Sequence, residues 1–211
     1  MASLPWEGNS TGSTYDQWGE EIEREFNPDC NLMRQDVPKS RLVVCNPSKR
    51  VSQLQIKHPS TGAISLDRMT VVVSIDGACC GNGTPSARAA WGVYFGPNSP
   101  HNDCGLLDPT LPQTSTRAEI EALTDSDYLV KAMSRWIKGW IENGGRKAGG
   151  GPVAHFQVLK DIHEFIEEMT YGDEGGLYSK FWHVPRAQNP EADTLANRAL
   201  DGSVSLMHSR C

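Results

Sequence analysis

No stretch of this 211-residue chain approaches the ~18 consecutive apolar residues a membrane-spanning helix needs. Its start, Met1 to Ser10, lacks both a basic leader segment and an apolar core. Neither a secretory signal nor a membrane anchor is therefore expected, and the reading is of an intracellular protein, nuclear or cytoplasmic, that is not secreted. The six cysteines (Cys30, Cys45, Cys79, Cys80, Cys104 and Cys211) include no C-x-x-C pair and no regular spacing, which excludes a zinc site or a secreted disulfide scaffold and predicts reduced thiols. No internal repeat is present. A basic excess is also missing: the net charge is −6, the wrong sign for a surface that collects phosphates. Charge distribution counts for more than the sum, because Lys131, Arg135, Lys138, Arg146 and Lys147 face the single acid Glu142 within residues 131–147.

A change of regime near residue 70 sets the predicted organisation. Residues 1–69 are rich in Pro, Ser, Asn and charge and read as an irregular N-terminal extension. Residues 70–202 read as one globular domain, and 203–211 as a C-terminal tail. Within the domain, Val71, Val72, Val73 and Ile75 predict a buried strand ending at Asp76. Ala89 to Phe95 predicts a second strand and Asn102 to Leu106 a third. Tyr128, Leu129, Ala132, Met133, Trp136, Ile137, Trp140 and Ile141 recur at helical spacing from about Ser126 to the stop at Asn143-Gly144-Gly145. A second apolar stripe runs from Val158 to Met169, and Leu177 to His183 predicts another strand. Asn189-Pro190-Glu191 carries the start chemistry of a last helix, with Asn189 as its cap.

The Gly-rich turn Gly81-Asn82-Gly83 after the first strand invites comparison with a dinucleotide fingerprint, but that motif must open a helix, and a strand follows here. A P-loop fails because no Gly-Lys-Ser/Thr follows. Asp76-Gly77, Arg117-Ala118-Glu119, Thr124-Asp125-Ser126 and His183 followed ten residues later by Asp193 stand in an order that carries a different likeness. Over about residues 70 to 200 the chain resembles the type-1 ribonuclease H family.

The resemblance implies an α/β fold, a mixed sheet of three antiparallel strands followed by parallel strands and flanked by helices. It also implies an endoribonuclease that hydrolyses the RNA strand of RNA–DNA hybrids with two Mg2+ ions, Mn2+ being an alternative. Hard divalent cations take oxygen ligands, so converging carboxylates suit that chemistry. By resemblance Asp76, Glu119, Asp125 and Asp193 are the metal ligands, and His183 assists proton transfer or product release. Asn82 reads the 2′-hydroxyl. Thr114, Tyr128, Trp136 and Trp140 fall where the family binds the DNA strand. For the two tryptophans core packing is the competing reading, and for Asn189 helix capping is preferred to substrate contact. The expected partner is an RNA–DNA hybrid bound by a monomer.

The chain departs from the family between Glu119 and Asp125, where only Ile120 to Thr124 intervene. A typical helix of about 11 residues and a strand of about 5 do not fit there, so the fourth strand and its preceding helix are truncated. An internal deletion from splicing or gene prediction explains this best. The alternative function is a non-catalytic ribonuclease H-like module that binds nucleic acid or protein. An exonuclease of related fold is disfavoured because Gly77-Ala78 follows Asp76 where Asp-x-Glu is wanted. Residues 1–69 show no match to a hybrid-binding module.

Overall fold

The computed structural model describes residues 14–15, 21–22, 24–115, 117–118, 127–171 and 177–202. In chain order its strands are β1 (Thr14–Tyr15), β2 (Glu21–Ile22), β3 (Val43–Asn46), β4 (Val51–Lys57), β5 (Ile64–Leu66), β6 (Ser74–Cys80), β7 (Arg88–Tyr94) and β8 (Asp103–Leu106). Its helices are α1 (Lys39–Leu42), α2 (Asp127–Lys131), a π-helical turn (Ala132–Trp136), α3 (Ile137–Glu142), α4 (Phe156–Tyr171) and α5 (Pro190–Leu200). The chain forms two compact units, residues 1–26 with 127–182, and residues 27–126 with 183–211.

In the second unit β6, β7 and β8 form an antiparallel sheet in that order, with Asp76 opposite Gly92 and Gly92 opposite Cys104. Side chains alternate between the two faces of a strand, so Asp76, Ala78, Ala90, Gly92 and Cys104 share one face. That face is covered by α5, whose Leu195, Ala199 and Leu200 pack against Ala90 and Cys104. The opposite face carries Cys79, Ala89 and Trp91, packed against Leu107, Leu111 and Ala118. Among the described residues this sheet is purely antiparallel. Residues 119–126, where the fourth strand and its preceding helix are expected to be truncated, lie outside the described residues.

The first strand is displaced from its predicted place. It begins at Ser74 and runs through Cys80, so Asp76 lies inside it and not at its end. The valines that suggested a strand belong to a connector held elsewhere: the Val72 N–H donates to the Ser52 carbonyl at 2.8 Å, and Val71 and Val73 are exposed. β-branching alone does not choose the partner. Asn102 likewise leaves the third strand, because its amide oxygen accepts from the Phe95 N–H at 2.7 Å and closes the β7–β8 turn.

Residues 27–69 are not irregular throughout. β3, β4 and β5 form a second antiparallel sheet, with Val43 opposite Leu54 and Gln55 opposite Leu66. Gln53 is fully buried at its centre, accepting from Asn46 Nδ2 at 2.7 Å and donating to the Thr70 carbonyl at 2.8 Å. Polar residues in this segment are therefore partly interior residues with satisfied hydrogen bonds, which composition reads as disorder.

In the first unit α2, the π-helical turn and α3 run on from one another. The Ile137 N–H donates to the Ala132 carbonyl five residues back, which marks the π geometry. Leu129, Val130, Met133 and Ile137 supply its buried face. Glycine ends α3 as expected: Gly144 and Gly145 take φ of +61° and +79°, and the Gly145 N–H closes on the Trp140 carbonyl at 2.7 Å. Leu177 to His183 does not form a strand. Phe181 makes an isolated parallel bridge with Glu25, through N–H bonds of 2.7 Å to the Arg24 carbonyl and 2.8 Å from Phe26.

Candidate active site

The carboxylate site rests on the junction between β6 and α5, both within the second unit. Two contacts lock this junction. Asn189 Nδ2, just before α5, donates to the Ile75 carbonyl at 2.8 Å in a buried setting. Farther along, α5 lies so close to Gly92 that a Cβ there would sit 2.5 Å from the Ala192 carbonyl oxygen and 2.6 Å from the Ala196 nitrogen. Gly92 is the cross-strand neighbour of Asp76, so the helical turn bearing Asp193 lies on the face toward which Asp76 projects.

Asp76 is buried, and one carboxylate oxygen accepts from the Gly77 N–H at 2.9 Å. Asp193 accepts from Asn197 Nδ2 at 3.2 Å and forms an ion pair with the Arg186 guanidinium. Of the four predicted ligands, Asp76 and Asp193 are among the described residues, on a strand and a helix that pack against one another. Glu119 and Asp125 lie outside the described residues. Among the described residues no group of three His, Cys, Asp or Glu side chains is placed to hold a metal ion. Carboxylate oxygens are the donors a hard divalent ion prefers, so the chemistry of Asp76 and Asp193 fits such an ion.

The other predicted residues are distributed around this core. Asn82 is exposed in the β6–β7 turn, with Gly77 to Gly81 between it and Asp76. Thr114 Oγ1 accepts from the Arg117 N–H at 3.1 Å, a helix-capping bond that opens the segment leading to Glu119. His183 is exposed at the head of the loop before α5. Asn189 does not act as the expected side-chain cap of α5, because its amide is directed to the Ile75 carbonyl. Arg186 was missed by motif reading. Its signal was a cation in the loop seven residues before Asp193.

Tyr128, Trp136 and Trp140 form a cluster within the first unit. Ring centroids stand 5.6 Å apart for Trp136–Trp140, 6.4 Å for Tyr128–Trp140 and 6.3 Å for Tyr128–Trp136. All three keep solvent contact while Leu129, Met133 and Ile137 fill the core, so the helical stripe divides into an interior face and an aromatic surface face. The π-helical turn lies within this stretch and alters its register. Burial pushes the Tyr128 phenol above its ordinary pKa. The neighbouring basic stripe is partly neutralised, since Arg135 Nε donates to Glu25 at 2.7 Å.

The same unit buries an unforeseen network. Arg24 is 2% exposed; its Nη1 donates to His163 Nδ1 at 2.8 Å and its Nη2 to Glu167 at 2.5 Å. Burial, aided by the Arg24 and Lys138 charges, pulls His163 down to a pKa of about 4. The described cysteines Cys30, Cys45, Cys79, Cys80 and Cys104 are free thiols, as expected. No helix among the described residues is long and apolar enough to cross a membrane.

No protein-family model matches the chain. It is 33% identical to ribonuclease H1 of Rattus norvegicus over 159 residues, covering 65% of this chain and 52% of the relative. The chain thus spans about half the length of its mammalian relatives; the matched part of human ribonuclease H1 is 48% of that protein. Among solved structures, the foamy viral protease-reverse transcriptase in complex with dsDNA overlays at TM-score 0.47 and 21% identity, covering 61% of this chain and 92% of that one. The bacterial ribonuclease H of Paracidovorax citrulli is 31% identical over 150 residues, 62% of this chain and 94% of the relative. That alignment takes in nearly the whole bacterial protein. The chain belongs to the ribonuclease H family.

Proposed function

We propose that this chain is an endoribonuclease that hydrolyses the RNA strand of RNA–DNA hybrids in the presence of Mg2+ or Mn2+. The observation that supports the reading is the β6–α5 junction, where the Asn189–Ile75 bond and the close approach at Gly92 pack the helix that carries Asp193 against the sheet that carries Asp76. Asp76 and Asp193 would hold the metal pair together with Glu119 and Asp125. Two bound cations supply Lewis acidity and a water of lowered pKa for attack on the phosphodiester. Asn82, exposed in its turn, would recognise the 2′-hydroxyl that distinguishes RNA. Tyr128, Trp136 and Trp140 offer a stacking surface for the DNA strand, with Thr114 toward a DNA phosphate. His183 would move a proton or aid product release.

A second reading is kept by one observation: five residues separate Glu119 from Asp125, so a binding module without catalysis is the alternative. The two are told apart with a labelled hybrid in Mg2+. The nuclease cuts the hybrid, spares single-stranded RNA and duplex DNA, and stops in EDTA. Asp76→Asn should abolish cleavage while retaining hybrid binding. Binding without cleavage by the unaltered protein selects the module, and cleavage that persists in EDTA rejects the metal-dependent reading.

A further inference from the structure

We propose that Arg186 is a positioning residue for Asp193, its guanidinium holding the carboxylate in the absence of metal and competing with the incoming cation, so that it sets the metal affinity of the site. This rests on the metal-dependent reading above. Arg186 donates to Asp193 Oδ1, and the turn that presents it is fixed by its own backbone. The Gln188 N–H closes on the Pro185 carbonyl at 2.7 Å, the Asn189 N–H on the Arg186 carbonyl at 3.0 Å, and Asn189 is tied to Ile75. The cation is thus presented from a three-residue 3-10 turn, Arg186–Gln188, anchored at the start of α5.

The exposures of the two partners differ. The Asp193 side chain is 28% exposed and that of Arg186 is 74% exposed. A half-sheltered carboxylate with a solvent-facing guanidinium across its mouth is stabilised without metal, yet the guanidinium can swing into water when a divalent ion arrives. Asp193 Oδ2 remains bonded to Asn197, which keeps the carboxylate oriented during the exchange. A guanidinium stays charged throughout the useful pH range, so this competition is set by geometry and not by protonation.

The test is calorimetric titration of the full chain with Mn2+, without nucleic acid, so that the readout is independent of catalysis. An exposed ion pair contributes about 0.2–1 kcal/mol, so removing the competitor in Arg186→Ala should tighten Mn2+ binding roughly 1.4- to 5-fold. Arg186→Lys, which keeps the charge, should return the affinity toward that of the unaltered protein. Asp193→Asn should weaken binding whether or not Arg186 is present. An unchanged or weaker affinity in Arg186→Ala overturns the role of Arg186 and leaves the nuclease reading standing. Absence of Mn2+ binding in both the unaltered protein and Arg186→Ala overturns both.

Discussion

Lowering the pH from 7.5 to 4.5 should destabilise the first unit through His163, and the size of the effect follows from its surroundings. His163 is 7% exposed on α4 and accepts from Arg24 through Nδ1, a bond that requires this nitrogen to be unprotonated. Its pKa falls from 6.5 to about 4. A depressed folded-state pKa means that the unfolded chain binds the proton first. The stabilisation is therefore complete above about pH 6.5 and is lost as the pH falls toward 4. A shift of that size corresponds to about 3 kcal/mol, a large part of a domain's ~5–15 kcal/mol total. His163→Gln supplies an amide oxygen that can still accept from Arg24 but does not titrate. Urea unfolding at pH 7.5, 6.5, 5.5 and 4.5 should show the unaltered protein losing stability faster than the variant, with the curves diverging below pH 6.5. The comparison with the variant cancels acid effects that arise away from His163 and its neighbours Glu164 and Glu167. Parallel loss in the two would refute the assignment of a neutral buried histidine.

Asn189→Ala removes the buried donor to the Ile75 carbonyl and should cost about 1–3 kcal/mol, read as a lowered Tm, while also reducing hybrid cleavage by loosening Asp193. An unchanged Tm would show that the amide does not fasten α5 to β6. Gly145→Ala should destabilise by about 1–3 kcal/mol, because φ is +79° and the new Cβ would lie 2.6 Å from the Phe156 ring. Urea midpoints equal to those of the unaltered protein would mean that the loop reshapes at no cost.

Local signals identified many of the elements. The α3 stop was written in Asn143-Gly144-Gly145, and α5 began at Pro190 as its N-terminal chemistry implied. The exceptions arose from tertiary partners. Thr70 to Val73 has the composition of a strand, yet Val72 bonds to Ser52 and the strand starts at Ser74. In residues 43–66 the interior polar residues Asn46, Ser52 and Gln53 suppressed the apolar alternation that would have announced β3 and β4. Hydropathy cannot distinguish a solvated glutamine from one with its donors and acceptors filled across 17 residues of sequence.

The site was legible where residue type is dictated by reaction chemistry, and less so where it is dictated by architecture. Asp76 and Asp193 stand out as carboxylates in the family's order, and they lie on β6 and α5, which are fastened together at Asn189 and Ile75. Arg186 escaped because a single arginine in a polar loop has many uses, and only the 3-10 turn reveals its aim at Asp193. The aromatic stripe shows the same limit from the other side. Period alone placed Tyr128, Trp136 and Trp140 on one helix face with Leu129, Met133 and Ile137. The structure separates them by burial, because a stripe wider than the contact it makes must leave one margin in solvent. A margin of three clustered rings, one pair of them stacked, offers aromatic faces of the kind on which bases stack. Under the proposed function, Trp140→Ala should therefore weaken hybrid binding, read as a raised Kd in a fluorescence titration, and an unchanged Kd would refute a stacking role.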